Sequence, residues 1–427
     1  MEESAVNQAL HYDTLETRSA DERQAGQLAT LRAVLTAARD KAPGFAERLE
    51  GVDLEALNDA AALSKLPLLR KASLSEQQAA APPFAGLTTV TAGQAAHLFA
   101  SPGPIYELEG QPSDYGRMAR ALYAAGVRPG DVVHNCFAYH LTPGGWIMDA
   151  GARALGCAVI PAGVGQSEQQ IEAIAHLKPG VYTGTPDYLK TLLDKGQELG
   201  RDVSSIDRAL VSGGALFPKM RKDYGERGVA VLQCYATAEA GLIAYESRAP
   251  GDERGEALPG MITDEGVIVE IVRPGTGDPV AAGEVGEVVV TTLNPVYPLL
   301  RLATGDLSKL LAGGSACGRT APRIAGWMGR ADQTTKVKGM FVHPEQVAQV
   351  VSRHAEIVRA RLKVERADDA DVMTLACEVQ AQPEGLAERI ADSLREVCKL
   401  RGGVELVAVG SLSNDGKVID DLRDFSA

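Results

Sequence analysis

Between residues 114 and 245 the sequence switches repeatedly between short apolar runs and longer amphipathic stretches, and this alternation narrows the fold more than any other feature. Residues 114–125 (DYGRMARALYAA) read as an amphipathic helix that Gly126 can end. VRPGDVVHNC follows as a turn into a buried strand. Residues 144–155 read as a second helix and CAVIP as a second strand. SEQQIEAIAHLKP opens on Ser167, a residue suited to capping a helix, and stops before Pro179. VYTGTP, RALVSGG and VAVLQCYA are further short strands, each followed by a loop. Such a rhythm predicts an α/β fold with a largely parallel sheet covered on both faces, and ligands bind such sheets at the strand ends.

The flanking regions differ. Residues 17–49 read as helical, with Leu28, Leu31, Val34 and Leu35 at helical spacing. From about 260 the segments GVIVEIVRP, PVAAGEVGEVVVTTL and PLLRLATGD are β-rich, with Gly/Pro turns and no helix between them, which predicts a small barrel-like part or antiparallel sheet. After Asp332 the order is strand, helix, two strands, helix, strand: a small α+β module. The expected organisation is a large N-terminal domain over 1–331, with its β-rich part at about 260–328, and a small mobile domain over 332–427. A chain of 427 residues is long enough for both.

Composition excludes several classes. The net charge of -13 argues against a nucleic-acid surface, yet leaves room for a nucleotide held by local charge and backbone N–H groups. No apolar run is long enough to span a membrane, and the polar, acidic start does not resemble a signal peptide. The six cysteines are scattered without a CxxC pair, so reduced thiols and a cytoplasmic protein are expected. No GxGxxG opens a βαβ unit, which disfavours a dinucleotide-binding dehydrogenase.

Five segments can carry chemistry. Ser212, Gly213, Gly214 and Ala215 follow a strand; adjacent glycines let a flat ligand approach the backbone, or simply make a strand-to-helix turn. Tyr235, Ala236, Thr237, Ala238 and Glu239 put a ring, a hydroxyl and a carboxylate at a strand end, suited to stacking on a base and holding Mg²⁺, or to a buried Tyr and a solvated Glu. In RLATGDL, Asp306 after a Gly turn can accept from ribose hydroxyls, or be a solvated turn residue. Arg330 and Asp332 in GRAD, with Lys336, Lys338 and Gly339 after them, lie on the expected domain boundary and suit a hinge or a plain linker. Lys417 in NDGK is surface unless a mobile domain delivers it to a site.

In this order the five segments resemble the adenylate-forming superfamily, and more closely the phenylacetate-CoA ligases. Tyr12-Asp13 with Glu16, LPLLRK (66–71), TPGGWIMDAGARALGCAVIPAG (142–163), CGRT (317–320) and GMFVHPEQV extend the resemblance over nearly the whole chain. It implies an ATP-dependent acid–CoA ligase that works through an acyl-adenylate with ATP/AMP, Mg²⁺ and coenzyme A. Gly213, Gly214 and Ala215 would line the adenine, Tyr235 would stack on it, Glu239 would hold Mg²⁺, and Asp306 would grip the ribose with Arg330 helping. Asp332 would be the hinge, Lys417 would bridge the acid and the α-phosphate, and Lys336 to Gly339 would border the CoA channel. Phe137, Tyr139, His140, Leu141, Ala240 and Gly241 would line a pocket for a small carboxylic acid, either an aryl acid or a hydroxy or short-chain one. A homodimer is compatible with this reading.

The chain departs from the family pattern in its phosphate loop. Where Ser, Thr and Gly are expected stand ASPGPIYELEG (100–110): Ser101 and Gly103 remain, two prolines remove N–H donors, and two carboxylates repel phosphate. Ala238 replaces a hydroxyl that touches the α-phosphate. Only Cys317 stands where some relatives carry a Cys/His cluster, so no structural zinc is expected. Two other readings follow: a non-catalytic homologue that binds nucleotide or acyl-CoA through a degenerate phosphate loop, and an adenylating enzyme that serves a carrier-protein thiol.

Overall fold

Five strands of the alternating region lie parallel in the order Ala158–Pro161, Val132–Asn135, Val181–Gly184, Arg208–Val211 and Ala230–Thr237. The computed structural model describes residues 10–423 except 102–103, 215, 253, 275, 334, 338–339, 368–369 and 414–416, with the backbone alone at 72, 332, 336, 341, 367 and 370. After Thr237 the chain doubles back into Gly241–Tyr245, and from there Met261–Thr263, Arg323–Ile324 and Leu310–Leu311 extend the sheet antiparallel to nine strands. Tyr182, Leu189, Leu192 and Tyr224 are sealed against one part of it. Each such side chain contributes about 1.5–3 kcal/mol by leaving water.

The β-rich stretch does not form a body of its own. Val267–Val272, Gly286–Thr292 and Leu302–Ser308 build a second, four-stranded sheet with Leu69–Arg70 at its edge, while Met261–Thr263 and Arg323–Ile324 belong to the large sheet. Leu69–Arg70 runs parallel to the start of the RLATGD segment, with Leu69 opposite Leu302 and Arg70 opposite Ala303. Arg301, 2% exposed, fixes this junction: it donates to the carbonyls of Ser64, Leu66 and Gly277 and to Glu270 Oε2 (3.0 Å).

Local readings shift in three places. The helix expected at 114–125 is Met118–Ala124. Asp114 stays outside it in the left-handed region (φ 57) and accepts from the N–H groups of Met118 (2.7 Å) and Ala119 (3.1 Å). Ser167 is the first helical residue, and Gln166 stands before it without a side-chain cap. The helical region at 17–49 divides into Ala20–Lys41 and Pro43–Arg48, because proline cannot continue a helix but starts one well. Ser19 and Glu22 form a capping box at the first of these.

The quoted YD and CGRT motifs meet in the structure. Glu16, 1% exposed, accepts from Tyr245 Oη (2.5 Å), Arg319 Nε (2.7 Å) and the N–H of Tyr12 (2.6 Å). Arg120 binds both oxygens of Asp13 (2.8 Å each). Asp264 is bonded by Arg117 and ion-paired with Arg120, and Glu265 is held by Arg18 and Arg23.

The chain divides into two compact units: Met1–Thr304 with Lys309–Gly326, and Gly305–Ser308 with Trp327–Ala427. The short piece Gly305–Ser308 goes with the second because Met328 N donates to Leu307 O, Leu307 N donates to Gly329 O, and Asp306 bridges to Arg330. The second unit has a four-stranded sheet in the order Gly403–Ala408, Ala370–Val379, Ile357–Ala367, Ile419–Asp421. Helices Pro344–Ser352 and Leu386–Cys398 pack with it through Val347, Val350, Ile390 and Leu394. Among the described residues no helix is long and apolar enough to cross a membrane.

Candidate active site

Glu239 sits at the tip of the hairpin formed by Ala230–Thr237 and Gly241–Tyr245, and its side chain is 1% exposed. The tip is shaped by two contacts: Thr237 Oγ1 accepts from Ala240 N (3.1 Å), and Gly241 takes φ +67. A Cβ on Gly241 would lie 2.8 Å from the carbonyl oxygen of Gly116, so only glycine fits there. Arg117 holds the same tip by donating to the carbonyls of Ala240 (2.5 Å) and Leu242 (2.9 Å).

The buried carboxylate of Glu239 meets one cation, Lys71 Nζ, at 2.8 Å. Lys71 is the first residue of the helix Lys71–Ala80, which follows directly from the edge strand beside Leu302. The same helix grips the phosphate-loop hairpin. Gln78 donates to the carbonyl of Tyr106 (2.7 Å) and accepts from its N–H (2.8 Å).

That hairpin pairs His97–Ser101 with Ile105–Glu109, and Phe99, Ser101, Ile105 and Glu107 are buried on it. Ser101 Oγ donates to Glu107 Oε1 at 2.7 Å, so the hydroxyl kept from the expected phosphate loop is engaged by a carboxylate. Burial pushes the Glu107 carboxyl up to about 8, and the charge of Glu239 adds to the rise, against the Ser101 hydrogen bond and the Lys71 charge. Burial, with the charges of Glu107 and Glu239, likewise pushes the Tyr297 hydroxyl up despite its bond from Gln78. The two acids therefore share one electrostatic neighbourhood. Gly103 lies outside the described residues.

A shallow cleft opens beside Glu239. Its walls are Phe99, Leu108, Tyr115, Pro143 and Ile147, its backbone-lined part comes from Gly116, Ala238, Ala240 and Gly241, and Glu109, Arg117 and Asn294 add polar groups. Of the expected pocket residues, Ala240 and Gly241 are on this wall. Phe137, Tyr139, His140 and Leu141 are not. The Tyr139 hydroxyl accepts from Asn135 Nδ2 (2.7 Å) and donates to Asp149 Oδ2 (3.0 Å), so its polar end is already used. His140 and Leu141 are exposed, and Phe137 packs beside Gly144 and Gly213.

The remaining nucleotide candidates of the first unit are at strand ends. Ser212 Oγ donates to the carbonyl of Cys234 (2.8 Å) and is buried, which makes it a link between neighbouring strands. Gly213 adopts φ +69, and the carbonyl of Gly214 accepts from Gln233 (2.8 Å). Ala215 lies outside the described residues. Tyr235, expected to stack on adenine, is 9% exposed, belongs to the core with Phe84, Ile243 and Leu299, and donates to Thr304 Oγ1 (3.3 Å). A ring packed in this way offers little face to a base. Ala236 and Thr237 are half-buried on the same strand.

In the second unit, Asp306 Oδ1 accepts from Trp327 Nε1 (3.1 Å) and Arg330 Nη1 (3.3 Å). Asp332 is in the short 3-10 turn Ala331–Gln333, and Gln333 Oε1 accepts from Val418 N (2.7 Å), next to Lys417. Lys417 is exposed and pairs with Asp420 at 3.3 Å. Lys336 lies on the strand Thr335–Val337, opposite Phe341; Lys338 and Gly339 lie outside the described residues.

Comparison with known proteins places this geometry. Residues 127–294 match the pattern of the AMP-binding enzyme family. A phenylacetate-coenzyme A ligase of Thermus thermophilus is 30% identical over 388 residues, 87% of this chain and 84% of that protein. The chain belongs to the phenylacetate-CoA ligase family of adenylate-forming enzymes. A family member from Escherichia coli is 29% identical over 97% of this chain and 98% of its own length. Among solved structures, an open conformation of 2-hydroxyisobutyryl-CoA ligase in complex with 2-HIB-AMP and CoA superposes with a TM-score of 0.80 at 25% identity, covering 96% of this chain and 93% of that one. Against the family's expected roles, this phenylacetate-CoA ligase-like chain adds residues without an assigned part: Lys71, Glu107, Tyr115 and Ile147. Lys71 was visible only as part of LPLLRK, since nothing local in sequence couples position 71 to position 239.

Proposed function

We propose that this chain is an AMP-forming acid–thiol ligase that converts a carboxylic acid, ATP and CoA into acyl-CoA, AMP and pyrophosphate. The observation that carries this reading is the cavity ending at the buried carboxylate of Glu239, in a chain of this family. In the first step an oxygen of the acid attacks the α-phosphorus, and the bond to pyrophosphate breaks. In the second the CoA sulfur attacks the acyl carbon, the bond to the phosphate oxygen breaks, AMP leaves with that electron pair, and the thiol proton goes to water.

Both reactants of the first step are anions, so the site must offset their repulsion. Mg²⁺ suits Glu239: the carboxylate is a hard oxygen donor, and its buried Oε2 has no hydrogen-bond partner among the described residues. Such an ion neutralises phosphate charge. Asp306, with Arg330 and Trp327 already on it, orients the ribose. The adenine rests on the backbone of Gly213 and Gly214 more than on the Tyr235 ring. Lys417 supplies the amine for the acid and the α-phosphate, Asp332 serves as the hinge, and Lys336, Lys338 and Gly339 border the CoA path. The apolar walls Phe99, Tyr115, Pro143 and Ile147 favour a compact acid, an aryl one such as phenylacetate or a short-chain or hydroxy one.

AMP release with Mg-ATP, CoA and a panel of aryl, hydroxy and short-chain acids tests the reading. AMP and acyl-CoA formed only when an acid is present support it, and Lys417→Ala should lower ATP–pyrophosphate exchange by about 10²-fold or more. Nucleotide binding without turnover on any acid would instead support a binding homologue, as the capture of Ser101 by Glu107 would suit. Exchange without acyl-CoA product would point to a carrier-protein thiol.

A further inference from the structure

The chain around Lys417 is fastened on both sides by side chains from distant parts of the second unit. Ahead of it, Leu412 N donates to Glu378 Oε1 (2.7 Å), and Leu412 O accepts from Arg359 Nη1 (3.2 Å). Ser413 O accepts from Arg361 Nη2 (2.9 Å), and Arg361 is itself buried. Behind it, Val418 N donates to Gln333 Oε1 (2.7 Å), and Val418 O accepts from Leu362 N (2.9 Å). The N–H of Val418 belongs to the same peptide unit as the carbonyl of Lys417. A planar peptide moves as one piece, so Gln333 fixes the main chain from which the lysine projects. The strand Ile419–Asp421 that follows is tied to the same stretch again. Thr335 Oγ1 donates to Asp421, and Arg423 donates to Thr335 Oγ1 (2.8 Å) and pairs with Asp371 (2.9 Å).

We propose that Gln333 is a positioning residue for the adenylation step, fastening Lys417 to the turn Ala331–Gln333 so that the amine and the turn move as one body. This rests on the reading of Lys417 as the adenylation amine and Asp332 as the hinge, and it adds the part that joins them. Gln333 directly follows Asp332 in the chain, while its bond to Val418 spans 85 residues of sequence. Without that bond the amine would be placed only through the four-stranded sheet and its two helices, each with its own play. With it, one side-chain hydrogen bond carries the position of the turn straight to the lysine. An amine that must stand between two anions tolerates little error, since a misplacement of about 1 Å can cost about 10²-fold in rate. The ammonium is steered as well: Lys417 Nζ pairs with Asp420 Oδ1 (3.3 Å), and the other oxygen of Asp420 faces Arg361 Nη1 (3.6 Å). Main chain and side chain of the lysine are thus both set by groups within its own unit.

The test measures the two half-reactions of the full chain separately, with the acid that turns over fastest in the panel above. ATP–pyrophosphate exchange reads the first, and conversion of the synthetic acyl-adenylate by CoA reads the second. Gln333→Met removes the acceptor at nearly constant size. It should lower exchange by about 10-fold or more and leave the second half-reaction within about twofold of the wild type. Gln333→Glu keeps an acceptor oxygen and should hold exchange within about threefold of the wild type. A merely structural role would slow both half-reactions together. Wild-type exchange in Gln333→Met overturns the proposal, as does an equal loss in both half-reactions, or a Gln333→Glu variant as slow as Gln333→Met. Lys417→Ala separates this from the reading beneath it. Unchanged exchange in Lys417→Ala sinks the role of the lysine and this proposal with it, whereas lost exchange there beside intact exchange in Gln333→Met sinks the proposal alone.

Discussion

Two clusters of buried acids lie in the same unit and differ in how their charge is met. Around Glu16, Asp264 and Glu265, every acid has guanidinium partners: Arg319 on Glu16, Arg117 and Arg120 on Asp264, Arg18 and Arg23 on Glu265. Around Glu239 and Glu107 the cation among the described residues is Lys71, which pairs with Glu239 at 2.8 Å, and Glu107 Oε1 is engaged by the Ser101 hydroxyl. The acids of the first cluster are matched by five arginines of the chain itself, although Asp264 Oδ2, ion-paired with Arg120 Nε at 3.2 Å, has no hydrogen-bond partner among the described residues. In the second, burial pushes the Glu107 carboxyl up to about 8, so that cluster relies on holding a proton where the first relies on guanidinium partners.

The contrast can be broken at its arginine-matched side first. Glu16→Ala leaves Arg319 buried beside Tyr245 without its acid, and should cost about 3–5 kcal/mol in urea unfolding. A loss under about 1 kcal/mol would mean the cluster is not the structural anchor its bonds suggest. Glu239→Gln should do the reverse: stability unchanged or raised, with adenylation measured by pyrophosphate exchange lowered by about 10²-fold, equivalent to about 2.7 kcal/mol of barrier. Third comes the pH dependence of stability. An unfolded Glu107 releases its proton near the usual carboxylate range, while the folded one keeps it to about 8. The folded state therefore binds the extra proton, so this group's contribution is fully present below the unfolded value and is lost as pH rises toward 8, by up to about 1.4 kcal/mol per unit. In metal-free buffer Glu107→Gln should flatten that slope; an unchanged slope would show that Glu107 is already ionised at neutral pH. The smallest effect belongs to the exposed pair Lys190–Asp194, where Lys190→Ala should change stability by less than about 0.5 kcal/mol and calibrates the others.

Much of this was legible in the sequence because it depends on local pattern. The alternation at 132–237 predicts the parallel strands, since each buries a short apolar run in a period the eye can follow. The strand pattern at 260–328 was legible as strands but not as membership of two sheets, because pairing partners such as Leu69–Arg70 lie more than two hundred residues away. The same limit governs the site. Glu239 stands out at a strand end, yet Lys71 reaches it from a helix start with no periodic relation to it, and Glu107 reads in sequence as a repulsive residue, since nothing local shows that it is buried and bonded by Ser101. Tyr235 is 9% exposed and packs in the core with Phe84, Ile243 and Leu299, a placement the strand-end position in sequence allows as well as it allows a base.

The close approach of Gly116 and Gly241 has a practical corollary for anyone wishing to retune the acid accepted. A methyl at Gly241 would press on the carbonyl of residue 116, which is main chain and cannot yield, whereas one at Gly116 would lie 2.8 Å from Ile147 Cγ2, a side chain that can be changed with it. Room can be gained or taken at the side chains that line the same cavity, among them Phe99, Leu108, Tyr115, Pro143 and Ile147. On the proposed reading of this cavity as the acid site, a change of substrate range runs through those side chains while Gly241 stays as the fixed jaw of the vice.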